Sequence, residues 1–380
     1  MAVTQLQDGC TWYPIRSGNI CPICGSKNGR CGYMVNTQSE IVMYRCKYKT
    51  SSRPSRDGWY IHLASELNGD FNFSRANLTI GDYTPTPIND ELLSLWDNIY
   101  RAFRKHFISL NSGPLYDHHK KNLIDRGVPE NLIDNLGCFS IPNNKQVSVN
   151  FSCTTRTSVV NSLLKDFKPE SLIKVPGFQK VTAHNRDFII FKNSMFDKES
   201  QNYIDIDGFF IPYFDYKNRL VGMQYRLTTP IINEDGKSVR YLWYSSKNNS
   251  CGSPIDYHIP KNQKIEDTIL LTEGALKAKI ASELMGIRSL AEAGVSNYRK
   301  LIKELQLIEK NELKRYKILL ALDMDKYSNK DVLTAEINTV AMLKSLGYSV
   351  TILEWNVADG KGIDDKLKSS GQKDFHFLTV

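Results

Sequence analysis

The stretch Ile269-Leu270-Leu271-Thr272-Glu273-Gly274-Ala275-Leu276-Lys277-Ala278 decides the fold of the carboxyl-terminal third. Residues 269–272 are an apolar run of strand length, broken at Glu273-Gly274, and residues 275–285 have helical composition. The alternation then recurs. Residues 288–291 read as strand, 298–309 as helix, and 316–322 as a strongly apolar strand ending in Asp323-Met324-Asp325. Residues 332–346 read as a helix closed by Gly347, and 349–353 as another strand. The loop Gly360-Lys361-Gly362-Ile363-Asp364-Asp365 follows. Strands alternating with helices imply a parallel sheet. Ligands of such sheets bind at the carboxyl ends of the strands. Those ends carry Glu273, then Asp323 with Asp325, and, after the last strand, Asp364 with Asp365.

Carboxylates gathered at one edge repel each other, so the arrangement calls for a cation. With no His or Cys among them, these hard oxygen donors suit Mg²⁺ or Mn²⁺. Asp323 and Asp325, two apart at a strand end, are expected to face one side and share the ion. Divalent ions held this way serve phosphoryl transfer. Glu273 fits either a metal ligand or a general acid–base. Any one of these acids, taken alone, is better explained as a helix cap or a solvated side chain. Three acidic clusters at successive strand ends are better explained by a shared site.

Working towards the amino terminus, residues 140–260 look β-rich, with runs at 147–151, 188–191 and 209–213. Before them, Leu92, Trp96, Ile99, Phe103 and Phe107 recur at helical spacing, with Asn89 placed to cap a helix beginning at Asp90. Helices are also expected over 117–125 and 130–136, separated by Arg126-Gly127-Val128-Pro129. Gly81-Asp82-Tyr83-Thr84-Pro85-Thr86-Pro87 reads as a linker.

Five of the eight cysteines lie in the first 46 residues. Four have metal-ligand rhythm: Cys21 and Cys24 form a Cys-x2-Cys knuckle, with Cys31 and Cys46 beyond it. The knuckle aims two thiolates at one ion, and Gly25 suits its turn. A zinc site is expected, with Cys10 and His62 as spare candidates for the fourth ligand. Cys138, Cys153 and Cys251 read as isolated thiols. Residues 1–60 hold eight basic and three acidic residues, which is +5 of the chain's +8. Arg45, Lys47 and Lys49 alternate there with aromatics such as Trp12, Tyr44, Tyr48 and Trp59. Basic plus aromatic residues suit single-stranded nucleic acid; packing of the rings around the metal explains Trp12 and Trp59 equally well.

The chain has 380 residues, 41% of them hydrophobic and 24% charged. That composition excludes wholesale disorder, collagen and coiled coil. No run of about 18 apolar residues exists, so no membrane span is expected. The start lacks a basic and then apolar leader, which points to the cytoplasm, where structural disulfides are not expected.

Leu271-Thr272-Glu273-Gly274, Ala321-Leu322-Asp323-Met324-Asp325 and Gly362-Ile363-Asp364-Asp365 resemble the three acidic motifs of the TOPRIM domain. Three further features resemble DnaG-type primases. One is the zinc ribbon. The second is the helix pair around Leu123-Ile124-Asp125-Arg126-Gly127-Val128-Pro129-Glu130. The third is the strand pair from Phe209 to Arg226, with Arg240-Tyr241-Leu242 after it. Glu273-Gly274-Ala275-Leu276-Lys277-Ala278 is similar to the primase-like proteins of phages, plasmids and genomic islands. DnaG zinc ribbons use three Cys and one His, whereas this chain offers four Cys, and Arg240 stands where that family has Lys.

The resemblance implies an α/β chain in three parts. Residues 1–75 would form a nucleic-acid-binding zinc ribbon, 76–89 a linker, 90–265 a primase-type α+β subdomain, and 266–380 a TOPRIM parallel sheet. It implies primer synthesis on a single-stranded DNA template from nucleoside triphosphates, alongside a separate replicative helicase. Zn²⁺ would be structural, on Cys21, Cys24, Cys31 and Cys46. Mg²⁺ or Mn²⁺ would be catalytic, on Glu273, Asp323, Asp325, Asp364 and Asp365. Arg226, Arg240 and Lys277 would contact template or triphosphate. A TOPRIM nuclease and a non-catalytic single-strand-binding replication factor are the alternatives.

Overall fold

In a computed structural model the chain divides into two units, Met1–Pro87 and Ile88–Val380. The structure describes residues 4–5, 11–15, 21, 23–26, 30–35, 41–48, 53–54, 59–63, 88–143, 154–183, 186–200, 202–232, 236–246, 249–294, 297–372 and 374–380. Cys10, Lys49, Cys153, the strand expected at 147–151 and residues 76–87 of the linker lie outside the described residues. Among the described residues no helix is long and apolar enough to cross a membrane.

The first unit is an antiparallel sheet. Its strands are β1 (Thr4–Gln5), β2 (Thr11–Pro14), β3 (Gly32–Val35), β4 (Ile41–Cys46), β5 (Arg53–Pro54) and β6 (Tyr60–Leu63), in the order β1-β2-β3-β4-β6-β5. The register Gly32↔Arg45 brings Cys31, just before β3, opposite Cys46 at the end of β4. Ile15, Cys21, Ile23, Cys31, Tyr33, Tyr44 and Cys46 form its small core.

The second unit opens with α1 (Asp90–Asn111), capped as expected: Asn89 accepts from Leu92 N at 2.8 Å. After it come α2 (Asp117–Asp125), a 3-10 turn at Glu130–Leu136 and β7 (Phe139–Ser140). Next are α3 (Thr155–Asp166), α4 (Pro169–Leu172), β8 (Phe178–Ala183), β9 (Arg186–Phe191), β10 (Ser194–Asp197) and β11 (Asn202–Asp205). Strands β12 (Gly208–Phe214), β13 (Leu220–Ile232) and β14 (Ser238–Trp243) join β7 in an antiparallel sheet ordered β14-β13-β12-β7. The apolar stripe of α1 covers it. Phe103 is its hub, with ring centroids 5.3–5.8 Å from Phe139, Phe178, Phe191 and Phe210. Gly177 is required beside this core: φ is +93°, and a Cβ would fall 2.0 Å from the Tyr244 ring.

The 140–260 stretch is less uniformly β than expected, because α3 and α4 interrupt it. Thr154 caps α3 by accepting from Thr157 N, and Val159, Val160 and Leu163 face the core. The β-branched residues Thr155, Thr157, Val159 and Val160 hide the helical signal, since their intrinsic preference is for strand.

The remaining elements are β15 (Asp256–His258), β16 (Ile265–Glu273), α5 (Ala275–Met285), β17 (Ile287–Glu292), α6 (Tyr298–Glu312), β18 (Lys317–Ala321), α7 (Lys330–Ser345), β19 (Val350–Glu354), α8 (Ile363–Ser370) and β20 (His376–Thr379). The sheet order is β15-β17-β16-β18-β19-β20. Its four central strands are parallel, and both edge strands are antiparallel. Alternate residues serve opposite faces. Leu270, Leu319, Ala321 and Leu353 pack with Ala281 of α5 and with Ile363 and Leu367 of α8. Ile269, Leu271, Ile318 and Leu320 pack with α6 and α7. Both faces being covered explains the continuous apolar runs of β16 and β18.

Candidate active site

The carboxyl ends of the central strands converge as the alternation predicts. Strand β16 ends at Glu273, and Gly274 (φ +81°) turns the chain into α5, which carries Lys277 in its first turn. Asp323 follows β18, and Asp325 lies in the 3-10 turn Met324–Tyr327. The Gly360-Lys361-Gly362 loop is tied to that turn, since Met324 N donates to Lys361 O at 2.9 Å. A Cβ at Gly362 would lie 2.8 Å from Asp364 Oδ1, 2.9 Å from Lys277 Cδ and 3.5 Å from Asp323 Oδ1. Only glycine lets these groups close on one another there.

The acids are neutralised by the protein's own cations. Lys277 Nζ pairs with Asp323 Oδ1. Lys361 Nζ bridges Asp325 Oδ2 at 2.8 Å and Asp323 Oδ2 at 3.5 Å. Arg126, just after α2, pairs with Asp364, whose side chain is 1% exposed. The expectation of bare, mutually repelling carboxylates is therefore corrected: each cluster except Glu273 has a basic partner. In this arrangement the acids do not gather three oxygens within 4.8 Å of one another. Two oxygens nevertheless stay buried with no hydrogen-bond partner, Asp325 Oδ1 and Asp364 Oδ1. Asp365 is turned to its own helix start and accepts from Gly362 N at 3.4 Å. It is exposed, and the structure uses it as a cap rather than bringing it to the other acids.

Burial raises the Glu273 carboxyl pKa above its ordinary value, with the Asp323 charge adding to the effect and Lys277 opposing it. Burial alone would lower Lys277, yet Asp323 and Glu273 hold its ammonium above the ordinary value. Sequence reasoning missed three groups here. Glu292 ends β17 in register with Glu273; burial, and then Glu273, raise its pKa strongly, and its Oε2 has no partner. Its position at a strand end was the available signal. Lys361 was visible inside the Gly-Lys-Gly loop. Arg126 pairs with a residue 238 positions away, which no local pattern reveals.

Arg226 on β13 is 4% exposed, and its guanidinium lies 6.0 Å from the Phe209 ring and 5.4 Å from the Tyr241 ring. Its Nε and Nη1 have no partner. Burial lowers its pKa, and the nearby Arg126 and Arg240 charges act in the same direction. Arg240, next to Tyr241 on β14, is exposed.

In the first unit, Cys21, Cys24, Cys31 and Cys46 place their sulfurs within 4.8 Å of one another. Two of these separations are 3.7 Å (Cys24–Cys31) and 3.8 Å (Cys31–Cys46). A tetrahedral zinc with four thiolates at about 2.3 Å has S–S edges of about 3.8 Å, so the set fits that ion. The knuckle forms as expected: Gly25 N donates to Cys21 O at 2.8 Å, with Gly25 at φ +73°. His62, on β6 opposite Tyr44, is not among the grouped ligands. Arg45 lies between Trp12 (5.1 Å) and Trp59 (5.3 Å), which gives those rings a packing role. Lys47 and Tyr48, just after β4, are exposed.

A family model described as "Domain of unknown function (DUF3854)" matches residues 259–374, which contain the acidic strand ends. No curated protein matches the chain. Among solved structures, the zinc-binding and RNA polymerase domains of the Aquifex aeolicus primase align with a TM-score of 0.48 at 13% identity, covering 100% of this chain and 81% of that one. The RNA polymerase domain of Mycobacterium tuberculosis primase DnaG aligns with a TM-score of 0.48 at 14% identity, covering 75% of this chain and 81% of that one. A DnaG primase catalytic domain bound to ssDNA aligns with a TM-score of 0.42 at 13% identity, over 72% of this chain and 76% of that one.

Proposed function

We propose that this chain is a primase-type nucleotidyltransferase, making short primers on single-stranded DNA during replication of a phage, plasmid or other mobile element. Its parallel sheet would be a TOPRIM catalytic unit. The observation that carries this reading is the single ammonium of Lys361 bridging Asp323 and Asp325. One cationic centre already lies against both carboxylates, and the Lys361 side chain is 57% exposed, so its ammonium would move into water if an ion took its place. Asp323 and Asp325 would hold Mg²⁺ or Mn²⁺ there, with the unpartnered oxygens of Asp325 and Asp364 as further donors. Such an ion supplies charge for triphosphate binding and for the departing pyrophosphate.

The chain's own groups do the rest. Lys277 keeps Asp323 oriented, and Arg126 does the same for Asp364. Arg226 offers two unused N–H donors to a phosphate oxygen, with Arg240 beside it as a second cation. Glu273, its pKa raised by burial, suits proton removal from an attacking 3′-hydroxyl. The four-cysteine unit would hold template through Arg45, Lys47, Lys49 and exposed rings such as Tyr48. A separate helicase would supply the unwound strand.

The test is incubation of the full chain with a single-stranded template, labelled nucleoside triphosphates and Mg²⁺ or Mn²⁺. Short labelled primers on an intact template are expected. A shortened template would replace this reading with the nuclease. Binding without either product would leave a single-strand-binding factor.

A further inference from the structure

Apart from the acidic centre, α2 and the residue before β12 bring two histidines onto one carboxylate. His118 Nε2 lies 3.1 Å, and His119 Nε2 3.2 Å, from the same Asp207 Oδ1. The ligand atoms of all three residues lie within 4.8 Å of one another. A tetrahedral ion with nitrogen and oxygen ligands at about 2.0–2.1 Å has edges of about 3.3 Å, close to both separations. The His119 ring is fixed from behind. Its Nδ1 is 2.7 Å from Ser140 Oγ, which also accepts from Tyr116 N at 2.8 Å. An imidazole oriented through its second nitrogen in this way is the usual arrangement of a metal-bound histidine. Thr228 Oγ1 lies 3.1 Å from His119 Nε2, at the same spot. His119 is 1% exposed, whereas His118 and Asp207 are more than half exposed. The cluster is thus walled by protein on one side and open to water on the other.

We infer that His118, His119 and Asp207 form a binding site for a zinc-class divalent transition ion, its fourth position left to water. Two imidazoles with one carboxylate select against Mg²⁺ and Ca²⁺, and the absence of sulfur from the set separates this site from the four-cysteine one. The ion would tie the first turn of α2 to the head of β12. The other end of α2 leads into Arg126, the partner of Asp364, so the same clamp would brace the helix that carries that counter-charge.

The experiment is equilibrium dialysis of the full chain against Zn²⁺, counting bound metal. Wild type is expected to hold about two equivalents, one of them on the cysteines. His118→Ala and Asp207→Asn change exposed side chains, so the fold should survive. Each should weaken the second equivalent at least about tenfold and leave the first in place. Co²⁺ added to wild type carrying one equivalent of zinc, on the cysteines, should give ligand-field bands without thiolate charge transfer, and both variants should lose them. A wild type that binds one zinc only would overturn the inference. So would a second equivalent that survives both substitutions, since the cluster would then be a hydrogen-bonded group and nothing more.

Discussion

In Met1–Pro87, four sulfurs lie within 4.8 Å of one another, two pairs of them at 3.7 and 3.8 Å. In Ile88–Val380, Asp323, Asp325 and Asp364 each face a lysine or an arginine. Both are gatherings of groups that ionise to like charge, and they are held in different ways. The sulfurs converge on a point where a zinc ion fits, and such an ion would be part of the fold. The carboxylates come with counter-charges of their own, so on the proposed function a divalent ion would enter by displacing Lys361. On that reading the first site would be a structural bond and the second an exchangeable socket.

The largest effect should come from breaking the first of these. Cys21→Ser with Cys24→Ser, or a strong chelator, should release the zinc and unfold the first unit. Structural zinc in such small modules contributes about 10–16 kcal/mol. Limited proteolysis should then trim the amino-terminal residues and spare Ile88–Val380, which has separate cores. A metal-free chain that resists trimming would remove the contrast.

Arg126→Ala should come next, because it strands the buried Asp364 carboxylate. A loss of about 3 kcal/mol is expected from urea unfolding of the second unit without divalent ions. Added Mg²⁺ should restore part of it by mass action. No change in the midpoint would show that the pair is incidental.

Asp323→Asn should cost about 2 kcal/mol in the same assay, by leaving Lys277 without its partner. Relief of acid repulsion, the expectation from sequence, would give the opposite sign. The variant's Mg²⁺ stabilisation should also be smaller than wild type's.

The smallest effect concerns pH. His258 is buried, with Nε2 2.9 Å from Glu283 Oε1, and burial lowers its pKa from the ordinary 6.5. Below pH 6.5 the unfolded chain therefore takes up a proton that the folded chain refuses. Stability is full above that pH and falls as pH drops towards the folded pKa, by up to about 1.4 kcal/mol per unit. His258→Gln should flatten the slope in part, and an unchanged acid limb would show that this ring is not involved.

Much of this contrast was legible in the sequence. The capped start of α1 at Asp90, the bounds of α2 and α5, and the cysteine knuckle all follow from local rules, because caps, apolar spacing and turn glycines act within a few residues. The acids at strand ends were legible for the same reason. Their neutralisation was not: Arg126 meets Asp364 only through tertiary packing, and Glu292 meets Glu273 only through strand register. Helix α3 was hidden by its β-branched residues, and the short edge strands β15 and β20 carry too little pattern to stand out.

The most direct test of the exchangeable socket as a catalytic centre compares wild type with Asp323→Asn and Asp325→Asn. The readout is template-dependent incorporation of labelled nucleoside triphosphates in Mg²⁺ or Mn²⁺. Wild type should make short primers, and each variant should lose at least about a hundredfold in rate while still binding single-stranded DNA. Primer synthesis at wild-type rate in both variants would contradict the assignment.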